Sequence, residues 1–204
     1  MLRSSRDFRP TVAFVSCCRG FLHLRPCIQL YDLSSTATAV KIIQGATRYR
    51  FNLIQLTGLY NSTSCMRILG RGDVPIEHLS IMQALRNTQA MLLPAFILTH
   101  SVKTLCVEFD EGVSQLPCFS QCTGLLSLTV RHFRGDSLSS LKSLKGLLHL
   151  CVCYCENVTD LVNVSNSLPL LRALDALYCG DAVTSLLIDP DVPLNSDIDV
   201  SIAV

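Results

Sequence analysis

The chain has few charged side chains and no concentration of positive charge. Its 204 residues include 17 Lys and Arg against 16 Asp and Glu, and charged residues make up 16% of the chain. An average soluble domain carries about 25%. Because nucleic-acid binding depends on clustered Lys and Arg that neutralise phosphates, the sequence excludes nucleic acid as the expected partner.

Long apolar runs are also missing. A membrane-spanning helix takes about 20 consecutive apolar residues, and the longest candidate here, residues 90–98, is interrupted by Pro94. We therefore expect no transmembrane segment. With 49% hydrophobic residues, the chain has enough apolar side chains for a sizeable core within one domain.

The sequence lacks the patterns of common chemical sites. It has no Gly-rich phosphate loop, and its 11 cysteines are odd in number without paired spacing, which argues against a disulfide framework. The alternating Cys151, Cys153 and Cys155 suggest a metal site, but in the repeat described below Cys151 and Cys153 point outward, whereas Cys155, like Cys179, closes a copy and is predicted to be a buried, reduced thiol. We predict no enzyme activity, no metal and no cofactor. Reduced cysteines predict an intracellular protein, in the cytoplasm or the nucleus.

One short unit occurs four times between Val102 and Cys179. Each copy has the spacing apolar-x-x-apolar-x-apolar-x-x-residue. The copies are Val102/Leu105/Val107 closing on Asp110, Leu125/Leu128/Val130 closing on Phe133, Leu147/Leu150/Val152 closing on Cys155, and Leu171/Leu174/Ala176 closing on Cys179. The step from one copy to the next is nearly constant at roughly 23 residues, and a fixed period of this length indicates a stacked repeat architecture.

The unit resembles the leucine-rich-repeat family, whose pattern is L-x-x-L-x-L-x-x-N/C. The nearest matches are LLHLCVCYC at 147–155 and LRALDALYC at 171–179. Residues 155–160 are also similar to the C-x-x-[IV]-T-D run of cysteine-containing members. The resemblance implies an α/β solenoid, with a short-stranded parallel sheet on its concave face and short helical or irregular segments on its convex face. It also implies a non-enzymatic module that binds a protein partner.

The spacing also predicts which side chains face a partner. Residues two apart on a strand lie on the same face, so the paired aliphatic residues point inward and their neighbours point outward. One outward column should hold the aromatic rings of Phe109, His132, Tyr154 and Tyr178. The predicted partner-binding residues are Phe109, Arg131, His132, Cys151, Cys153, Tyr154, Asp175 and Tyr178.

The flanking segments are less regular. We divide the chain into an arm or targeting segment at 1–26, a cap or degenerate repeats at 27–74, the solenoid at 75–193, and a tail or covering strand at 194–204. Residues 39–43 and 50–56 are candidate strands. Leu79, Met82, Ala84 and Asn87 fit an additional repeat, although the surrounding residues 78–93 also have helical spacing. If the tail does not cover the last repeat, the uncovered end predicts self-association.

Three alternatives remain open from the sequence. The Arg-rich, acid-poor residues 1–26 are typical of a mitochondrial presequence, which would make the chain an assembly or structural subunit of that organelle. Residues 27–74 would instead serve as a docking segment in a ubiquitin-ligase-type substrate adaptor. The tripeptides at 71–73 and 134–136 and the glycosylation sequons at Asn61, Asn157 and Asn163 matter only in a secreted protein.

Overall fold

A single parallel β-sheet organises the described part of the chain. The computed structural model describes residues 27–30, 53–56, 77–180 and 194–203. All strand pairs are parallel, and the order of strands across the sheet equals their order in the chain. The strands are β1 (Cys27–Leu30), β2 (Leu53–Leu56), β3 (His78–Leu85), β4 (Thr104–Phe109), β5 (Ser127–Arg131), β6 (His149–Cys153), β7 (Ala173–Leu177) and β8 (Asp199–Ala203).

Short helices lie between some of these strands. They are α1 (Asn87–Ala90), α2 (Leu93–His100), a 3₁₀ helix (Ser139–Ser143) and α3 (Leu161–Asn166). Pro94 lies in the first turn of α2, where a helix does not need the missing N–H. None of the helices in the described ranges has the length and hydropathy needed to cross a bilayer. The parallel strands and the short helices between them confirm the predicted α/β class with a parallel sheet.

The inward-facing residues form two columns across the sheet. Leu105, Leu128, Leu150 and Leu174 are register partners on β4 to β7, and all four are buried. A second column two residues further on contains Val107, Val130, Val152 and Ala176, also buried. The alignment predicted from the repeat spacing is confirmed. Each strand thus buries its apolar residues against the strands on both sides.

The unit before β4 has a different register from the predicted one. β3 pairs Leu79 with Leu105 and Ile81 with Val107, whereas the prediction placed Met82 opposite Leu105. The step between these strands is therefore longer than the steps between the four predicted copies. An irregularity between Ile81 and Leu85 then shifts the register. The helical alternative is wrong for residues 78–85 and holds only from Asn87 onwards.

Both ends of the sheet extend beyond the four predicted copies. β2 falls within the candidate strand 50–56, β1 was not predicted, and residues 39–43 lie outside the described residues. At the other end, β8 pairs with β7 and places Val200 and Ile202 in the two apolar columns. Both are 39% exposed, because no described strand lies beyond β8. The tail thus supplies the covering strand for β7, so the condition under which the sequence predicted self-association, an uncovered last repeat, is not met.

Buried thiols close the third and fourth copies. The Cys155 thiol donates to the carbonyl oxygen of Cys153 at 3.2 Å, and the Cys179 thiol donates to that of Val152 at 3.2 Å. Burial raises the pKa of Cys155 to about 12, so the thiol keeps its proton at neutral pH. The predicted burial of both thiols is confirmed. In the second copy, Phe133 occupies the same position and is fully buried.

Polar side chains after β6 join the third copy to the second. The Asn157 amide donates to the Arg134 carbonyl at 2.9 Å, and the Thr159 hydroxyl donates to the Asp136 carbonyl at 3.1 Å. The Asp160 carboxylate accepts from the Ser137 hydroxyl at 2.7 Å and from the Leu138 N–H at 2.8 Å. Residues 155–160 therefore fix the spacing between neighbouring units beyond the ends of their strands.

Replacing Asp160 by Ala should lower the free energy of unfolding by about 1–3 kcal/mol, because two partly buried donors lose their acceptor. Urea denaturation followed by circular dichroism measures the change. Asp136→Ala is the matched control, since that side chain is exposed and its residue contributes a backbone carbonyl to the contact. The control should change stability by less than about 0.5 kcal/mol. Equal losses in the two variants would contradict the assignment.

Candidate interaction surface

The sheet packs one face on the core and presents the other face away from it. We call the second face the open face, and define it by the residues that alternate with the buried columns on β4 to β7. These residues are Thr104, Cys106, Glu108, Ser127, Thr129, Arg131, His149, Cys151, Cys153, Ala173, Asp175 and Leu177. Most are half-buried, so the open face is a closely packed layer with accessible polar groups.

Three aromatic rings stack along the edge of the open face where the strands end. The His132 and Tyr154 rings have centroids 4.8 Å apart and planes 2° apart, and the Tyr154 and Tyr178 rings are 5.1 Å and 11° apart. We call these three residues the ring ladder. Tyr154 and Tyr178 are 39% and 50% exposed. The ladder therefore presents a preorganised aromatic surface to solvent.

The backbone fixes the ring ladder in place. All three residues have φ of 55°, a left-handed conformation that costs a non-glycine residue about 1–2 kcal/mol. Their N–H groups extend the strand pairing: His132 donates to the Cys153 carbonyl at 3.0 Å, and Tyr154 donates to the Leu177 carbonyl at 2.9 Å. The same turn at the same place in consecutive units brings the rings into register.

Phe109 does not join this ladder, so its predicted contact role is wrong. β4 continues through Phe109, and the strand alternation turns the side chain into the core. Phe109 is 2% exposed, and its ring meets the Phe133 ring edge-on with centroids 5.8 Å apart. The prediction assumed that all four copies leave the strand at the same position, whereas the first copy leaves it one residue later.

Cys151 and Cys153 lie on the open face as predicted, but they are covered by their neighbours. The two residues are 7% and 3% exposed, and they lie outside the contiguous apolar core. Their sulfur atoms are 3.4 Å apart. Burial raises the pKa of the Cys151 thiol. The two residues are therefore the floor of the open face, which corrects their prediction as direct contacts.

A hydrogen-bonded chain of Ser127, His149 and Asp175 crosses three strands of the open face. Ser127 Oγ lies 3.4 Å from His149 Nδ1, and His149 Nε2 lies 2.7 Å from Asp175 Oδ2. The backbone N–H of Ser127 donates to the Lys103 carbonyl, and that of His149 donates to the Leu126 carbonyl. These amides are not free to stabilise an oxyanion, which acyl transfer requires. The arrangement can orient His149 and hold Asp175 in place.

Sequence reasoning identified Asp175 but missed its partner. The repeat register places Ser127 and His149 at equivalent positions on neighbouring strands, with Asp175 two positions further along on the next strand. This diagonal relation between neighbouring strands could have identified the contact between His149 and Asp175 from the sequence. Within the described ranges, no group of three or more His, Cys, Asp or Glu side chains is arranged to hold a metal ion.

Apolar side chains border the open face at the edge opposite the ring ladder. Leu126 and Leu148 immediately precede β5 and β6 and are 38% and 41% exposed. The Leu148 N–H donates to the Leu126 carbonyl at 2.8 Å, so the two residues lie on adjacent rungs. At about 3.3 Å per residue, the stretch from Leu148 to Tyr154 spans roughly 20 Å. Sequence reasoning missed this border, although the doubled Leu at 125–126 and 147–148 marks it.

The tripeptide Arg134-Gly135-Asp136 makes contacts with the next unit of the fold. Arg134 pairs with Glu156 at 3.1 Å, and the carbonyl groups of Arg134 and Asp136 accept from the next unit. Gly135 is buried. These contacts disfavour an adhesion role for the tripeptide. The tripeptide at 71–73 lies outside the described residues.

Five of the eight predicted contact residues lie on accessible parts of the open face or its edge: Arg131, His132, Tyr154, Asp175 and Tyr178. The other three, Phe109, Cys151 and Cys153, are buried.

The mitochondrial alternative depends on residues 1–26, and the adaptor alternative on residues 27–74. The first segment and most of the second lie outside the described residues.

No family model matches the chain, and no curated protein or solved structure matches it.

Proposed function

We propose that the chain is a leucine-rich-repeat-type solenoid that binds a protein partner, without catalysis, through the open face. The ring ladder is the observation that carries this proposal. In it, two exposed tyrosines and a histidine are held parallel by three equivalent left-handed turns. On this proposal the open face is the concave surface of the solenoid.

The regularity of the sheet supports the solenoid. Leu79, Leu105, Leu128, Leu150, Leu174 and Val200 are consecutive register partners from β3 to β8. The steps between them stay close to one length, with somewhat longer steps at the two ends of this series. A parallel pair needs a crossover connection, and the described crossovers between β3 and β7 consist of short helices or turns. Similar units stacked in chain order are what a repeat architecture predicts.

The composition of the surface supports protein binding. Tyrosine supplies a large contact area with little conformational entropy to lose, and is enriched among the residues that dominate binding energy. The polar side chains nearby already have neighbours, because Asp175 accepts a hydrogen bond from His149 and Glu108 is the register partner of Arg131. A partner that covers Asp175 therefore leaves its carboxylate with a hydrogen-bond donor.

Replacing both Tyr154 and Tyr178 by Ala should weaken capture of the partner by at least about 30-fold, since the loss of aromatic anchors costs about 2 kcal/mol or more. The partner is first identified by affinity purification of the intact chain, and its dissociation constant is then measured against each purified variant. The double variant should still fold, because both rings are largely exposed.

The matched control removes comparable exposed apolar area elsewhere. Met91 and Leu98 are 52% and 44% exposed and lie in the helical segment between β3 and β4. A variant with Ala at both positions should bind the partner as the unchanged chain does. Unchanged affinity in the tyrosine variant would overturn the proposed surface, and so would an equal loss in the control.

A further inference from the structure

Two thiols on the floor of the open face are close enough to react with each other. Cys151 and Cys153 lie two residues apart on β6, and their sulfur atoms are 3.4 Å apart in a thiol–thiol hydrogen bond. Both residues are outside the apolar core. They are 7% and 3% exposed, so they lie beneath the side chains of the open face and not within the apolar core.

The surroundings of the two thiols differ. Arg131 is the register partner of Cys153 on β5, and its guanidinium makes a side-chain hydrogen bond to the Cys153 sulfur. The Nε atom of Arg131 is buried and has no hydrogen-bond partner among the described residues, so the guanidinium is partly desolvated. A positive charge therefore lies beside the Cys153 sulfur. Burial raises the pKa of the Cys151 thiol.

We propose that Cys151 and Cys153 are a peroxide-responsive dithiol, which closes to a reversible disulfide and thereby displaces the ring ladder. Disulfide formation is independent of the proposed function. Only its effect on binding rests on that function.

The reaction has two steps. The Cys153 thiolate attacks the peroxide, so that an S–O bond forms, the O–O bond breaks and hydroxide leaves; the sulfur loses two electrons, which the peroxide gains. The Cys151 sulfur then attacks the resulting sulfenic acid. An S–S bond forms, the S–O bond breaks, and the hydroxyl leaves as water with the proton from Cys151.

The geometry makes this disulfide attainable but strained. Two residues apart on a strand, the Cα atoms are separated by about 6.6 Å, near the upper limit of about 6.8 Å for a disulfide. The sulfur atoms must approach from 3.4 Å to about 2.0 Å. Strained disulfides have higher reduction potentials and are easily reduced. The disulfide between Cys151 and Cys153 should therefore be readily reduced again by small thiols.

Closure acts directly on the ring ladder. Tyr154 follows Cys153 in the chain, and the Cys153 carbonyl accepts from the His132 N–H at 3.0 Å. Contraction of β6 at Cys153 therefore moves the backbone groups that hold two of the three rings. Oxidation should weaken binding through the same residues that the proposed function uses.

The test uses the full chain, first reduced and then treated with hydrogen peroxide. The chain is then unfolded, its free thiols are alkylated, and the peptide that contains residues 151 and 153 is measured by mass spectrometry. After peroxide, neither of these two thiols should be alkylated and the peptide should be two hydrogens lighter than the dithiol form, whereas reduction with dithiothreitol before alkylation should make both thiols alkylatable again. Cys155 and Cys179 are internal controls, since their thiols donate to backbone carbonyls and should remain unoxidised, so that both are alkylated once the treated chain is unfolded.

Single variants separate the two thiols. Cys151→Ser should leave Cys153 as a sulfenic acid that dimedone labels, whereas Cys153→Ser should leave no labelled sulfur at residue 151. Arg131→Gln should slow disulfide formation by about tenfold or more, because the thiolate loses its counter-charge. The proposal is overturned if both thiols remain alkylatable, if Cys153 pairs with another cysteine, or if the two Ser variants behave alike. If the disulfide forms but the tyrosine variant binds its partner normally, only the proposed function fails.

Discussion

Leu150→Asp should prevent the chain from folding. Leu150 is fully buried on β6, and its register partners Leu128 and Leu174 cover it from both sides. A carboxylate there has no partner, and burying an unpaired charge costs more than about 4–5 kcal/mol. Because a domain of this size has a total stability of about 5–15 kcal/mol, the variant should lose most or all of its folded population. Soluble yield, far-ultraviolet circular dichroism and urea denaturation measure the loss.

Leu148→Asp is the control, with the same charge introduced two residues earlier. Leu148 is 41% exposed, so the new carboxylate remains hydrated and stability should change by less than about 1 kcal/mol. A folded Leu150→Asp chain with an unchanged urea midpoint would mean that the column of leucines does not hold the sheet together.

Phe133→Ala should lower the free energy of unfolding by about 3–5 kcal/mol, the usual result of removing a buried aromatic ring. Phe133 is fully buried where the third and fourth copies have a cysteine, and its ring packs edge-on against Phe109. The small side chain leaves a cavity that the fixed backbone turns cannot close. Urea or thermal denaturation of the purified variant measures the effect.

His132→Ala provides the comparison at the neighbouring position. The His132 ring lies half-exposed on the ring ladder, so its loss should lower stability by no more than about 1 kcal/mol. If the two variants lose the same stability, Phe133 does not fill the core between the first and second copies.

The inward columns could be predicted because they depend on a simple periodicity. Aliphatic residues two apart on a strand must share a face, and a constant repeat length aligns them between neighbouring strands. Leu105, Leu128, Leu150 and Leu174 are register partners for this reason. The buried thiols of Cys155 and Cys179 could be predicted from the same register.

The register failed where the repeat length changes. The step from Leu79 to Leu105 is longer than the later ones, because it includes α1, α2 and a strand irregularity. A fixed repeat length therefore placed Met82, instead of Leu79, opposite Leu105. The step from Leu174 to Val200 is lengthened by the same amount, so a fixed repeat length does not place Val200 in the column either. The alternation of Ile198, Val200 and Ile202 still indicated a strand in the tail.

The open face was harder to predict than the core, because it depends on where each turn begins and on side-chain size. Phe109 turned inward when β4 extended by one residue. Cys151 and Cys153 have the predicted orientation, but their larger neighbours cover them. The hydrogen bond between His149 and Asp175 follows from the register. It becomes apparent only once neighbouring strands are compared position by position.

The direct test of the stacked columns is a measurement of contacts between leucine methyl groups by nuclear magnetic resonance, with assignment by single Leu→Val variants. Neighbouring strands are about 4.8 Å apart. The aligned register therefore predicts nuclear Overhauser effects from the methyls of Leu150 to those of both Leu128 and Leu174. Effects from Leu150 to neither neighbour would show that the strands are not stacked in chain order, and the account of the open face would fail with them.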